Sequence, residues 1–310
     1  MTAMVNSTGM NANLKEAKDI NAVQLCNVVK SFGSTKALSG LNLELQQGEI
    51  HAILGPNGAG KTTAIGIMTG TRKTDSGSVI ILGGNPWDKS IRLQVGLTPQ
   101  ESGFPDNLRV SEILDLVRSH FPEPMTDDEL FARFPLEKLQ NKQTGGLSGG
   151  QKRLLAVALS FIGNPNLVFL DEPTTGLDVE SRQNIWKAIL DYRGSGGTVV
   201  LTTHYLEEAE VLASRIVVIN EGKKLADGSL EQIRDLVGSS RVSYRGDLPT
   251  MLDGATHIKQ QDDRVIIITN DSDLVIRSMV RNDLDFEDLQ IRPANLEEAF
   301  FTLIDNSRQK

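Results

Sequence analysis

The stretch from Gly55 to Thr62 constrains the fold of this chain more than any other. Its letters, GPNGAGKT, match the pattern G-x-x-x-x-G-K-[ST]; residues 49–54 before it resemble a short buried strand, and residues 63–68 after it the start of a helix. Such a loop cradles phosphate, because bare backbone N–H groups and the positive end of the helix dipole face the anion. The stretch therefore predicts a nucleotide site in which Lys61 reaches the β- and γ-phosphates and the Thr62 hydroxyl binds Mg²⁺.

Composition limits the classes of partner. The chain has 310 residues and a formal net charge of −8, which argues against a nucleic-acid partner because phosphate neutralisation requires a basic face. Cys26 is the single cysteine, so an intrachain disulfide and a cysteine-built metal site are excluded. No apolar run approaches the ~20 residues that span a bilayer. We expect a cytoplasmic protein whose residues 1–20, rich in Asn, Ser and Thr, form a disordered leader.

The chain changes character twice after the phosphate loop. Residues 101–163 have mostly helical patterns, including a capping box that begins at Thr126. Strands and helices alternate again up to about residue 238, and residues 239–310 have the pattern of a small α+β domain. We therefore predict a main domain over 21–238, a helical subdomain within it at about 101–163, and a separate C-terminal domain.

Two adjacent carboxylates, Asp171 and Glu172, end a continuously apolar strand at Leu167–Leu170. Ligands of open α/β sheets bind at the carboxyl ends of the strands, so the pair is predicted to lie near the phosphate loop. In that position Asp171 would hold Mg²⁺, directly or through water, and Glu172 would act as general base on the attacking water. Without the phosphate loop, a solvated strand end would be the better interpretation.

The run LSGGQ at 147–151 permits two interpretations. Ser148 and Gln151 have the spacing of a capping box, which is a purely structural role. However, two glycines in a first helical turn cost about 1 kcal/mol each relative to alanine, and a cap does not require them. Bare N–H groups at a helix N-terminus also bind anions. This indicates a second phosphate-binding surface, and because one chain can hardly present both surfaces to one nucleotide, it favours a dimer.

Together these motifs resemble the ATP-binding subunits of ABC (ATP-binding cassette) transporters. The resemblance covers about residues 22–237 and rests on GPNGAGKTT at 55–63, Gln100 after a strand, LSGGQ at 147–151, LVFLDEPTTGLD at 167–178 and His204 in TTHYLEEAE. It implies an α/β fold: a P-loop NTPase core with an antiparallel β-subdomain and an inserted helical subdomain, plus the small α+β C-terminal domain. The tail, with PANLEEAF at 293–300, is similar to those of exporter-type subunits.

The resemblance also implies a head-to-tail dimer, or a pair with a second ATPase subunit, that encloses two ATP molecules with Mg²⁺. The catalytic residues would be Glu172, His204, which contacts the γ-phosphate, and Gln100, which couples Mg²⁺ and water to the helical subdomain. Metal ligands would be Thr62, Gln100 and Asp171. The ATP-binding residues would be Gly55, Pro56, Asn57, Gly58, Ala59, Gly60, Lys61, Thr62, Thr63, Phe32 as the adenine stack, Ser148, Gly149, Gly150, Gln151 and, at the dimer seam, Asp178.

The expected function is ATP hydrolysis that drives export, of a drug, lipid or polysaccharide, through a separate transmembrane permease, on the cytoplasmic face of the plasma (inner) membrane. Two alternatives stay open. One is a soluble ABC ATPase that acts on ribosomes or nucleic acid, although such proteins tend to carry two cassettes or a long coiled coil. The other is a regulator that binds nucleotide without hydrolysis, against which the presence of both Glu172 and His204 argues.

Overall fold

The computed structural model describes residues 21–237, 240–293 and 295–308. By its contacts the chain divides into two compact units, one up to Lys224 and one from Leu225 onward. The predicted boundary at 238–239 falls on residues outside the described ranges, and the division by contacts comes earlier in the chain. The leader predicted for residues 1–20 also lies outside the described residues.

The first unit contains a three-stranded antiparallel sheet and most of a larger six-stranded sheet. The antiparallel sheet has the order β2-β1-β4 and consists of β1 Asn21–Phe32, β2 Thr35–Gln46 and β4 Ser76–Ile81. The other sheet has the order β5-β6-β7-β3-β8-β9 and consists of β3 Ile50–Leu54, β5 Val95–Thr98, β6 Leu167–Asp171, β7 Thr198–Thr203, β8 Arg215–Asn220 and β9 Lys223–Gly228.

The central strands of the larger sheet are parallel and completely buried. β3 pairs with β7 and β8, and β6 pairs with β5 and β7, all in parallel register. Every residue of β3, β6 and β7 is buried, which explains why these strands lack the apolar–polar alternation of a half-buried strand. Because the strands are parallel, their carboxyl ends meet at one edge of the sheet, where the phosphate loop begins.

Helices occupy the connections. They are α1 Lys61–Met68, α2 Lys89–Arg92, α3 Val110–Arg118, α4 Asp127–Arg133, α5 Gly149–Phe161, α6 Val179–Gly194 and α7 Leu206–Leu212. The segment between β5 and β6 contains α3, α4, α5 and two short 3₁₀ turns, so it is helical as the sequence predicts. The predicted capping box is present at Thr126, whose hydroxyl accepts from the Glu129 N–H.

The second unit is a smaller α+β body. Its sheet has the order β11-β12-β10-β13, all antiparallel, with β10 Ser240–Gly246, β11 Ala255–Gln261, β12 Arg264–Thr269 and β13 Phe286–Pro293. Its helices are α8 Leu230–Val237, α9 Ser272–Arg281 and α10 Leu296–Arg308. Val242, Val265 and Val275 belong to one buried core between sheet and helix.

The predicted mixed α/β architecture is confirmed in both units. The structure also contains strands β10 and β11, which the sequence pattern did not predict. None of the helices within the described ranges is long and apolar enough to cross a bilayer.

Candidate functional site

The phosphate loop joins β3 to α1 through glycines that no other residue can replace without strain. Gly58 and Gly60 have φ angles of 82° and 104°, in the region that side chains disfavour. A Cβ at Gly60 would also lie 2.5 Å from the Ala37 carbonyl oxygen, and one at Gly55 would collide with the carbonyl oxygen of Ile219. The loop can adopt this tight curl only because these positions carry no side chain.

Lys61 holds a positive charge inside this loop. Its Nζ donates to the carbonyl oxygens of Gly55 at 2.7 Å and Pro56 at 3.1 Å, and the side chain is buried. Burial lowers the pKa of Lys61, whereas the carboxylates of Glu172 and Asp171 raise it. Neutral carbonyl oxygens thus hold the ammonium group across the loop. A charged phosphate oxygen is a stronger hydrogen-bond acceptor than these carbonyl oxygens.

The oxygen atoms predicted to bind metal lie on three elements: Thr62 on α1, Gln100 after β5 and Asp171 at the end of β6. The Thr62 hydroxyl donates to Oε1 of Gln100 at 3.4 Å, which brings together two residues predicted to bind metal. Asp171 lies at the end of β6 and accepts a hydrogen bond from the Thr202 hydroxyl at the end of β7. Thr202, which the sequence did not single out, therefore fixes one Asp171 oxygen. Across the described ranges, no group of three or more His, Cys, Asp or Glu side chains forms a metal cluster, so a cation here would depend on this mixed oxygen set.

Glu172 adopts a backbone conformation that is unusual for its residue type. Its φ is 53°, the left-handed region, and its N–H donates to the Thr202 carbonyl oxygen at 3.0 Å and to the Thr202 hydroxyl at 3.1 Å. Such conformations are held by their surroundings at a cost and concentrate at functional sites. Here the turn directs the carboxylate away from the strand and towards His204.

His204 and Glu172 are in contact, as a joint catalytic role requires. Nδ1 of His204 lies 3.3 Å from Oε2 of Glu172, and the Thr175 hydroxyl donates to the same oxygen at 3.3 Å. The Glu172 side chain is 10% exposed and that of His204 is 41% exposed. The Thr175 hydroxyl therefore orients the buried carboxylate, which lies beside the partly exposed imidazole of His204.

The LSGGQ run has the predicted cap and also an uncovered surface. Oγ of Ser148 accepts from the Gln151 N–H at 3.2 Å, and Oε1 of Gln151 accepts from the Ser148 N–H at 3.2 Å, so these two residues bond each other rather than the phosphate loop. Around the position of a Cβ on Gly149 there is open space, and at Gly150 the nearest atom is Cδ2 of Leu177 at 3.2 Å. Packing within the chain does not require a glycine at position 149.

Asp178 has a structural role at the start of α6. Its carboxylate accepts from the N–H of Ser181 at 2.8 Å and from the Ser181 hydroxyl at 3.0 Å, and these bonds lower its pKa. Asp178 is the N-cap of α6 and is exposed, so the cap fixes the geometry of the loop that precedes it.

Phe32 is 44% exposed and lies beneath two cations. Cζ of Arg72 is 5.3 Å and Nζ of Lys30 is 5.6 Å from its ring centroid. Arg72 also accounts for Gly66 inside α1, because a Cβ there would lie 2.8 Å from Cδ of Arg72. Sequence reasoning missed Arg72, and it also missed Arg153, whose guanidinium reaches the backbone on both sides of the site.

Comparisons with known proteins identify the family. A family model described as ABC transporter matches residues 38–175. The chain is 33% identical over 307 residues to the daunorubicin resistance ATP-binding protein DrrA3 of Streptomyces coeruleorubidus, covering 93% of this chain and 97% of that protein. It is 33% identical over 296 residues to the Nod factor export ATP-binding protein I of Burkholderia lata, covering 91% of this chain and 97% of that protein.

Solved structures give the same result for the fold. An ATP-binding subunit of an ABC transporter has a TM-score of 0.64 and 25% identity, covering 70% of this chain and 93% of that one. A dimeric, post-hydrolysis ATP-binding cassette bound to ADP and Pi has a TM-score of 0.61 and 28% identity, covering 67% of this chain and 98% of that one.

Proposed function

This chain belongs to the ATP-binding subunits of ABC transporters, and on that premise we propose how its residues bind and hydrolyse ATP. It is an exporter-type ATPase subunit by its relatives, and its fold is that of a P-loop NTPase cassette. The observation that carries the residue roles is the meeting of five side chains at the carboxyl ends of neighbouring parallel strands: Lys61, Gln100, Asp171, Glu172 and His204.

The chain offers Mg²⁺ a suitable set of ligands. Mg²⁺ prefers oxygen donors and is commonly bound by one or two carboxylates together with substrate phosphates. Thr62, Gln100 and Asp171 supply a hydroxyl, an amide oxygen and a carboxylate, and the first two already lie 3.4 Å apart. When bound, the ion would neutralise charge on the phosphates. Thr202 would hold the Asp171 carboxylate in place through its hydroxyl.

The remaining groups divide the work of hydrolysis. Glu172, oriented by the Thr175 hydroxyl and next to His204, would accept the proton of the attacking water. Lys61 would exchange its loop carbonyls for β- and γ-phosphate oxygens, and His204 would donate to the γ-phosphate from the exposed side. Phe32 would stack on adenine, with Thr63 and the loop backbone from Gly55 to Lys61 around the phosphates.

A second ATPase chain would complete each site. Ser148 and Gly149 are exposed, with bare backbone at the start of α5, and the open space at Gly149 is available to a group from outside the chain. We propose that these residues, with Gly150 and Gln151, face the γ-phosphate held by a partner copy, and that Asp178 lies at the seam. The partner would be a second copy or a second ATPase subunit.

The cassette proposed for residues 21–238, with its helical subdomain at about 101–163, would act on a separate transmembrane permease. Two relatives carry the names of drug-resistance and Nod-factor-export proteins, which supports export as the direction. The subunit would lie on the cytoplasmic face of the membrane. We propose in addition that residues 239–310 form a separate C-terminal domain and that residues up to 20 form a leader. The net charge of −8 supports the absence of a nucleic-acid partner.

Phosphate release from Mg-ATP by the purified chain tests this proposal. Glu172→Gln should abolish release, spare ATP binding and trap a dimer that light scattering detects at saturating Mg-ATP. Glu180→Gln, an exposed glutamate on α6, is the matched control and should behave as wild type. Ser148→Arg in the Glu172→Gln background should prevent the dimer.

Four results would count against the proposal. Release by the Glu172→Gln variant at the wild-type rate would remove its role as base. A strictly monomeric Glu172→Gln variant at saturating Mg-ATP would reject the shared site. A wild-type chain that binds ATP without releasing phosphate would instead indicate a regulator, and salt-sensitive capture by RNA or DNA would revive the nucleic-acid alternative.

A further inference from the structure

Arg153 lies in the second turn of α5 and is 9% exposed. All three of its nitrogens donate to backbone carbonyl oxygens. Nη1 donates to Pro99 at 2.7 Å and Gln100 at 3.2 Å, Nη2 to Asp171 at 2.5 Å and Glu172 at 2.9 Å, and Nε to Pro173 at 3.1 Å.

The five acceptors belong to only two segments. One segment follows β5 and carries Gln100; the other runs from the last residue of β6, Asp171, through Glu172 to Pro173. A planar guanidinium has its donors in a rigid fork, so it fixes the distance between the two segments as well as their orientation. Lysine carries its three donors on one compact ammonium group and could not bridge both segments with the same geometry.

The charge of Arg153 is retained despite its burial. Burial lowers the pKa of the guanidinium, and the nearby carboxylates of Asp171, Glu172 and Glu208 raise it. An arginine stays protonated in proteins at neutral pH. Its bonds to carbonyl oxygens are therefore charge-assisted, which makes them stronger than ordinary backbone contacts.

Helix α5 is itself held rigidly against β5. A Cβ at Gly96 would collide with the Ser160 carbonyl oxygen, so the two backbones are in direct contact, and the Thr98 hydroxyl donates to the Ala156 carbonyl oxygen at 3.4 Å. Ser148 is the N-cap of the same helix, five residues before Arg153, or roughly 7–8 Å along the axis. A displacement of the exposed end of α5 therefore reaches the guanidinium through a rigid element.

We propose that Arg153 is a positioning residue for hydrolysis: it ties helix α5 to the backbone of both Gln100 and Glu172, so that whatever binds at Ser148 sets the alignment of the two catalytic segments. This inference rests on the proposed function for its link to hydrolysis. The tie between helix and segments is a property of one chain and can be tested without it.

The test compares Arg153→Met, which has similar length and no donors, with Arg153→Lys, which keeps the charge. Lys152→Met is the matched control, since it removes a positive charge from the neighbouring position on α5, where Lys152 pairs with Asp106 at 3.7 Å. For each full-length variant we would measure kcat and KM for ATP, the Kd for ATP, and amide hydrogen exchange of residues 100–103 and 172–175.

We expect Arg153→Met to lower kcat roughly tenfold to a hundredfold, since misplacement of a reacting group by about 1 Å has effects of that size. The Kd for ATP should change less than about threefold, because the phosphate loop keeps its contacts. Hydrogen exchange should speed up in both segments together. Arg153→Lys should recover part of kcat, and Lys152→Met should match wild type in every measurement.

A folded Arg153→Met variant with wild-type kcat, or with exchange unchanged in both segments, would overturn the inference. Equal losses of kcat and ATP affinity would also overturn it, because they would indicate general disruption of the site. If Arg153→Met does not fold, Arg153→Lys decides: wild-type kcat and exchange would reject the tie. If wild-type protein hydrolyses no ATP, the proposed function fails, and the exchange measurement alone decides the role of Arg153.

Discussion

Replacing Glu172 by asparagine is expected to give a more stable protein than replacing it by glutamine, although both changes abolish hydrolysis. The φ angle of 53° at Glu172 is the reason. Left-handed backbone costs a residue with an ordinary side chain about 1–2 kcal/mol, and asparagine enters this region several-fold more often than glutamine. The backbone term should therefore favour asparagine by about 1 kcal/mol.

Side-chain contacts oppose this term only partly. Glutamine is long enough to keep the contacts that Glu172 makes with His204 and Thr175, both at 3.3 Å, and asparagine is too short to keep them. Contacts of this length without charge are worth about 0.5 kcal/mol together. The net advantage of asparagine is about 0.5 kcal/mol, which in a unit of this size raises the melting temperature by about 1–2 °C.

Calorimetry without nucleotide measures the difference, and Glu221 provides the control. Glu221 has a φ of 48° in an exposed turn and does not belong to the site. The melting temperature of Glu221→Asn should exceed that of Glu221→Gln by the full backbone term, about 2–4 °C. ATP hydrolysis should be unchanged in both variants. If the pair at 221 separates as expected and the asparagine variant at 172 melts at or below the glutamine variant, the backbone at Glu172 is not strained and the argument fails.

Three further changes have expected outcomes. Lys61→Ala should raise the Kd for ATP roughly tenfold to a hundredfold, since bonds to a charged group are worth about 1.5–3 kcal/mol; equilibrium titration with labelled ATP measures it, and an unchanged Kd would remove Lys61 from the site. Phe32→Ala should weaken ATP and GTP similarly, by about 1–3 kcal/mol, because every base can stack; a loss confined to one base in competition binding would contradict this. Glu208 is completely buried, and burial raises its pKa. Because the folded state holds this proton more tightly than the unfolded state, the stability of the protein falls as pH rises from about 4.5 through the folded pKa of Glu208. Glu208→Gln should therefore raise the melting temperature at pH 7.5 and lose that advantage near pH 4.5, and a pH-independent difference would refute the sign.

Local signals in the sequence singled out most residues of the candidate site. The phosphate loop, the carboxylates after β6 and the capping boxes at Thr126 and Ser148 each depend on residues within a few positions of one another. Parallel strands then bring the separate segments to one edge, so the contact between Glu172 and His204 follows from topology that the apolar runs already indicate. The confirmed fold has the same origin, since β3, β6 and β7 are buried on both faces.

The parts that could not be predicted depend on contacts between distant residues. The glycine at position 66 is explained only by the side chain of Arg72, which packs against it. Thr202 can bond Asp171 only because β7 lies beside β6. Arg153 has the pattern of an ordinary helix residue, and its carbonyl acceptors leave no trace in the sequence because every residue type has a carbonyl. Strand β11 is mostly exposed, so its register depends on pairing with β12 rather than on an alternating pattern.

The two interpretations of the LSGGQ run are compatible, and the structure indicates why both are needed. The cap uses the side chains of Ser148 and Gln151 and would be complete with alanine between them. Alanine at Gly149 would meet nothing within the chain and would improve the helix by about 1 kcal/mol. No contact within one chain explains the helix-propensity cost of Gly149, so a contact with another molecule is its best explanation. The bare turn lies on α5, whose next turn carries Arg153. One end of α5 is therefore suited to meet a ligand from another chain, and its interior is suited to pass that encounter to Gln100 and Glu172.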